Sequence, residues 1–249
     1  MSIKIAISNH KGGVGKTTST VNIGAGLANH KKKVLLVDLD AQANLSQCFG
    51  IVNPEKTIYG SLRGAYPLTP YEVKPNLHIV PSCLDLAGIE LEIGSKIGRE
   101  KILAKLLAPI EKDYDYILFD CPPSLGLIIV NAFAAADKVY IPLQAQFLAL
   151  HGLDKLFEVM NMVKDDINPN IDITGVFITQ FDKRKVLNRD ILESVREHFK
   201  QKVFKTIIRD NVSLAEAPAS SQDIFAYAPD SLGAQDYNSL VKEIINNKN

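Results

Sequence analysis

The chain has no apolar run near the ~18 residues that a membrane-spanning helix needs, so a spanning segment is not expected. Cysteine is scarce. Cys48, Cys83 and Cys121 make an odd count with no metal-ligand spacing, which argues against a disulfide framework, a zinc site or an iron–sulfur cluster. They read as reduced thiols of a cytosolic protein, and Cys121 as a small buried hydrophobe. Neither charge sign is in excess, with 28 Lys+Arg against 28 Asp+Glu, so bulk charge does not mark a tight nucleic-acid binder. No repeat, low-complexity tract or linker divides the 249 residues, and a single domain over residues 1–249 is expected. The first strand-like run begins at Ile3, which leaves no expected room for a signal peptide.

What the chain does have is a glycine-rich turn with two lysines: Lys11, Gly12, Gly13, Val14, Gly15, Lys16, Thr17, Thr18. It follows an apolar run, Ile3 to Ser8, and opens a helix-like stretch, Thr17 to Asn29. Strand, glycine turn and helix form the context of a phosphate-binding loop, in which backbone N–H groups and the helix N-terminus face an anion. Lys16 is placed to hold β- and γ-phosphates, and Thr17 to put its hydroxyl on Mg²⁺. The common pattern would place glycine where this chain has His10, and it needs no lysine at position 11. Lys11 sits too near the turn to fold back on its own nucleotide. Pointing outward, it would meet a nucleotide held by a second copy of the chain, and two copies would exchange lysines across two ATP molecules.

Short apolar runs alternate with helical stretches along the chain. The runs Val34–Asp38, Leu77–Pro81, Tyr116–Asp120, Lys138–Pro142 and Ile173–Thr179 suit buried parallel strands. Helices are predicted over Arg99–Glu111, Gly126–Ala136, Leu150–Asp166, Asn188–Phe199 and Gln235–Asn246. The order predicts an α/β fold: a doubly wound, mostly parallel sheet flanked by helices, with ligands at the carboxyl ends of its strands. Asn53 to Asn76, with four prolines, reads as a meandering surface segment.

Two strands end in acids. Asp38 and Asp40 lie two apart on an extended chain and point the same way; Asp40 is placed to orient or deprotonate a water facing the γ-phosphate, and Asp38 and Asp40 are both candidates for the Mg²⁺ shell. Asp120 closes the run YILFD, where an Asp is the usual outer anchor for Mg²⁺ in this class of NTPase, and Pro122 and Pro123 stiffen the loop after it. One charged region breaks the overall balance: from Lys183 to Arg209 there are nine Lys/Arg and three Asp/Glu. Such a run is most often a solvated face.

These residues resemble a known family. KGGVGKTT, VLLVDLDAQANLS and FDCPPSLG are similar to the motifs of the deviant Walker A ATPases of the ParA/MinD class, and VFKTIIRDNVSLAEAP with YAPDSLGAQDY resembles its Soj-like partitioning branch. The resemblance covers nearly the whole chain. It implies ATP and Mg²⁺ as cofactors, an ATP-dependent sandwich homodimer, non-specific DNA binding by that dimer, and slow hydrolysis stimulated by a ParB-type protein in the cytoplasm, at the nucleoid. Lys11 would be the signature lysine, Lys16 the loop lysine, Thr17 a Mg²⁺ ligand, Asp40 the hydrolysis residue and Asp120 the second acidic anchor. Asn211 would line the adenine pocket, and Arg184 would contact DNA. Where relatives commonly read PRNVR, this chain has Arg209-Asp210-Asn211-Val212-Ser213, so Ser213 replaces a second DNA-contacting arginine, with Arg209, Lys185 or Arg189 as compensation. The chain shows no N-terminal helix-turn-helix region of the larger plasmid relatives, so operator-specific repression is not expected.

Two alternatives share the fold: an ATPase that positions a protein cargo over the nucleoid, and a membrane-positioning ATPase of the MinD kind. The tail SLVKEIINNKN has no bulky aromatic anchors and reads as a packing helix, so stable membrane association is not expected.

Overall fold

A computed structural model describes residues 2–146 and 153–246. In chain order the elements are β1 (Ile3–Ile7), α1 (Lys16–Asn29), β2 (Val34–Asp38), α2 (Asn44–Gln47), α3 (Ile58–Arg63), β3 (Tyr71–Lys74), β4 (Leu77–Val80), α4 (Ile89–Ile93), α5 (Ile102–Leu107), β5 (Tyr116–Asp120), α6 (Leu127–Ala135), β6 (Lys138–Gln144), α7 (Leu153–Asp166), β7 (Asp172–Thr179), α8 (Val186–Phe199), α9 (Val212–Glu216), α10 (Ile224–Tyr227) and α11 (Leu232–Asn246). Seven strands join one sheet in the order β3-β4-β2-β5-β1-β6-β7. All neighbours pair in parallel except β3 with β4. The expected doubly wound α/β architecture is the one observed.

The strand alternation splits the core into two layers. Leu35, Val37, Ile117 and Phe119 face one way, toward α5, α6, α7 and α8. Val34, Leu36, Tyr116 and Leu118 face the other, toward α1 and α11. The flanking helices earn their places by periodicity: α7 buries Leu153, Leu156, Met160 and Val163, and α8 buries Ile191, Leu192, Val195 and Phe199. Helix α1 lies unusually close to the sheet, because a Cβ on Gly24 would stand 2.6 Å from a methyl of Leu36.

Two differences from the sequence reading have local causes. The segment expected to meander holds α3 and the antiparallel edge strand β3, whose prolines Pro67, Pro70 and Pro75 bracket the strand instead of interrupting it. The helix expected to reach Glu111 ends at Leu107: Ala108 still has helical geometry and its N–H donates to the Ala104 carbonyl, but Pro109 has no N–H to continue the ladder. The helix predicted from Leu150 runs from Leu153 to Asp166, and residues 150–152 lie outside the described residues. Past the outer edge of β7, residues 203–209 run alongside: the N–H of Phe204 donates to the Val176 carbonyl, that of Ile208 to Ile178, and that of Phe181 to Ile208.

Candidate functional site

The register brings three strand ends together. Asp38 lies beside Asp120 on β2 and β5, and Ile7 lies beside Asp120 on β1 and β5. The glycine turn after β1 therefore sits directly against both acids, at the carboxyl edge where parallel sheets bind ligands. Gly15 closes the turn at φ +87°, a left-handed conformation that starts α1 and that a side chain would strain. In front of the loop, a Cβ placed on Gly12 or Gly13 would meet nothing within 4 Å, so the face of the turn is open.

Lys16 is nearly buried and folds back over the turn, its Nζ donating to the Lys11 carbonyl at 3.0 Å. Burial pulls its pKa down, and the fields of Asp120 and Asp40 partly restore it. Thr17 Oγ1 donates to Asp120 Oδ2 at 2.7 Å, and Thr20 Oγ1 donates to Asp120 Oδ1 at 3.3 Å. Asp120 has no cation within salt-bridge distance among the described residues; burial, then the neighbouring Asp38, raises its pKa to about 8. A buried carboxylate beside a hydroxyl, short of positive charge and facing an open anion cradle, fits a hard divalent cation bridging to phosphate. Among the described residues, no group of three or more His, Cys, Asp or Glu could hold a metal ion as an all-protein cage.

Asp38 is fully buried and occupied differently. Its Oδ2 accepts the Ser46 N–H at 2.9 Å and the Ser46 hydroxyl at 2.7 Å, while Oδ1 accepts the Asp40 N–H at 3.2 Å. It therefore holds the Asp40–Ser46 loop in place and does not meet Thr17. Burial raises its pKa to about 6 against the pull of those donors. Asp40 stands past the strand end, half-buried, and accepts the Gln42 N–H at 3.0 Å. Lys11 points away from the acids: its Nζ donates to Gln146 Oε1 at 3.3 Å on the exposed rim after β6.

Beside the turn, Gly15, Thr18, Thr179, Gln180, Asn211 and Tyr237 are among the residues lining a cavity of about 280 Å³. Asn211 is thus on the wall of a cavity next to the glycine turn. It also begins α9, accepting the Ser213 N–H at 3.0 Å.

The braces of the loop were not foreseen from sequence. Asn9 Nδ2 donates to the Pro142 carbonyl at 2.9 Å while its Oδ1 accepts the Lys11 N–H at 3.0 Å. Thr179 Oγ1 donates to the Val14 carbonyl at 2.9 Å, and Gln180 Nε2 to the Gly13 carbonyl at 2.8 Å. The only available signal was position: polar residues immediately after the apolar runs of β1 and β7.

Lys183, Arg184, Lys185 and Arg189 are exposed around the start of α8. Arg184 pairs with Asp182 through Nε and Nη2 at 2.8–3.2 Å, yet its side chain is 85% exposed. Its hydrogen bonds hold the Asp182 carboxyl below the usual carboxylate range. Arg209 is held by a different element. Its guanidinium grips Asp236 of α11 at 2.6–3.1 Å and its N–H reaches the same carboxylate, so it fastens the segment after β7 to α11.

A family model described as an AAA domain matches residues 2–173. The sporulation initiation inhibitor protein Soj of Bacillus subtilis is 42% identical over 98% of this chain and 98% of its own length. The chain belongs to the ParA/Soj family of partitioning ATPases. Among solved structures, cobyrinic acid a,c-diamide synthase from Mycobacterium smegmatis with bound ADP and magnesium matches with TM-score 0.87 and 30% identity, covering 98% of this chain and 94% of that one. A Borrelia burgdorferi plasmid partition protein bound to AMPPNP matches with TM-score 0.83 and 28% identity over 100% of both chains. The glycine turn, the acidic strand ends and the helices around them are thus the parts of a family fold, and no helix among the described residues is long and apolar enough to cross a membrane.

Proposed function

We propose that this ParA/Soj-family chain is a Mg²⁺-dependent ATPase whose ATP-bound form is a face-to-face dimer that holds DNA without sequence preference, in the cytoplasm at the nucleoid, and lets go after hydrolysis stimulated by a ParB-type protein. The observation that carries the reading is the division of labour between two lysines on one turn. Lys16 is folded over the phosphate cradle, while the amine of Lys11 sits at the rim on a single exposed hydrogen bond to Gln146. Such a bond contributes little in water and is easily exchanged for a phosphate oxygen of a partner's nucleotide.

Within one protomer the turn's N–H groups and Lys16 hold the phosphates, and the cavity next to Asn211 takes the base. Thr17 and Asp120 would hold Mg²⁺, with Asp38 supporting them at one remove by fixing the Asp40 loop. When bound, the cation neutralises charge on the β- and γ-phosphates. Asp40, half-buried and free of ion pairs among the described residues, orients the attacking water. The exposed cations Lys183, Arg184, Lys185 and Arg189 supply phosphate contacts that need no base readout, and two copies in a dimer double a modest patch.

The deciding experiment measures ATP turnover with and without DNA and a candidate ParB-type protein, alongside the mass of the complex in ATP and in ADP. Turnover stimulated by both, with a dimer only in ATP, is the expected result. A Lys11→Ala variant that dimerises in ATP like the unaltered chain would remove the basis of the reading.

A further inference from the structure

The end of β7 touches the nucleotide loop and begins the cationic turn within a few residues. Gln180 is the junction. It is exposed, yet both ends of its amide are engaged: Nε2 donates to the Gly13 carbonyl at 2.8 Å, and Oε1 accepts from Gln144 Nε2 at the end of β6. Its backbone is left-handed, φ +51°, which a non-glycine residue adopts at a cost and keeps only where its surroundings hold it. Its neighbour Thr179 holds the Val14 carbonyl, so the last residue of β7 and the one after it fix two consecutive carbonyls of the phosphate loop. Immediately after it, Phe181 is locked to the 203–209 run by backbone bonds with Ile208 and Asp210, and the Asp182 N–H donates to Asn188 Oδ1 of α8 at 2.8 Å. Asp182 then carries Arg184. The Gly13–Gln180 hydrogen bond and the backbone that follows it, pinned at Phe181 and Asp182, thus connect the phosphate loop to the turn that bears Arg184.

We propose that Gln180 is a positioning residue for the phosphate loop, and that through its left-handed backbone the loop's nucleotide occupancy sets the conformation of the cationic turn at 181–189. Filling the cradle draws the loop's N–H groups toward phosphate and so acts on the Gly13 carbonyl that Gln180 grips. Gln180 also lines the cavity beside Asn211, but both ends of its amide are taken by Gly13 and Gln144, so it acts on the phosphates through the loop. The inference rests on the reading of the turn after β1 as a nucleotide site and is independent of whether DNA is the ligand of the cationic turn.

Two variants test it. Gln180→Met keeps the length of the side chain and removes both hydrogen bonds; Gln180→Gly also removes the strain of the positive φ. Affinity for a fluorescent ATP analogue with Mg²⁺ is expected to fall about 3- to 10-fold in both, the loss of one neutral hydrogen bond. Melting temperature is expected to stay level in the Met variant and to stay level or rise in the Gly variant, which separates positioning from folding. At saturating analogue, hydrogen exchange over 181–189 is expected to slow in the unaltered chain and to lose most of that slowing in Gln180→Met. Unchanged affinity in both variants, or an exchange response in Gln180→Met equal to that of the unaltered chain, overturns the proposal. An unaltered chain that binds no nucleotide overturns the nucleotide site itself, and the proposal with it.

Discussion

The carboxylates that end β2 and β5 and the cations that follow β7 stand on the same edge of one sheet, but they are secured in opposite ways. Asp38 and Asp120 are buried almost completely, and each accepts two or more hydrogen bonds from residues fixed by the core. Arg184 is 85% exposed and is steadied by one neighbour two residues away. Buried charge is expensive, so the acidic wall has a standing demand for positive charge that a bound cation and Lys16 relieve. Exposed charge is cheap, so the cationic rim makes no such demand and can be remodelled with little effect on folding. The comparison teaches that the nucleotide site is part of the fold's own energetics, whereas the cationic rim is carried by it.

The comparison can be broken most severely at Lys16. Lys16→Ala is expected to weaken ATP binding by at least about 100-fold, through loss of a charge-assisted phosphate contact, as read by equilibrium titration. Next, Asp40→Ala is expected to slow hydrolysis by about 100-fold and leave an ATP-bound dimer intact, since its N–H keeps the bond to Asp38 and only the side-chain bond from the Gln42 N–H is lost. Turnover and light scattering decide it, and a monomer in ATP would end the role given to Asp40.

Acidity probes the wall without mutation. Asp38 and Asp120 titrate near 6 and 8 in the folded chain, both raised by burial, so between about pH 4 and pH 8 the native state binds more protons than the unfolded one. Stability of the nucleotide-free protein is therefore expected to fall as pH rises through that window. Mg²⁺-ATP should flatten the fall, and a nucleotide-free melting temperature that climbs from pH 5 to pH 8 would refute it. Ser46→Ala is a milder cut: it takes one donor from the buried Asp38 and is expected to cost about 1–3 kcal/mol in urea unfolding. The smallest effects belong to the rim. Arg184→Ala is expected to lower the DNA salt slope by about 0.9 and leave ATP dimerisation unchanged. Asp182→Asn, which frees Arg184, should shift DNA affinity the other way, and dimerisation falling along with DNA binding would show that the rim is not independent of the wall.

Legibility in sequence follows the same divide. The phosphate loop, Asp120 and the six parallel strands stand out because burial on both faces demands continuous apolar runs, and glycines at fixed spacing have few other uses. The antiparallel β3 is half-exposed and flanked by prolines, so its pattern resembles a loop. The partners of Asp38 and Arg209 lie 8 and 27 residues away, and nothing in composition announces that Ser46 or Asp236 will occupy them. Asn9, Thr179 and Gln180 look like ordinary polar residues at strand ends until the sheet order sets them beside the glycine turn.

One margin of the sheet is covered and the other is short. Beyond β7 lies the 203–209 run with its backbone bonds, and the other margin is a four-residue strand with an irregular register and the charged residues Glu72 and Lys74. Neither border offers a long row of unpaired amides to another molecule, so copies crowded together are poorly equipped to stitch into fibres strand by strand. The cycle of dimer formation and release proposed above would gain from having that route shut.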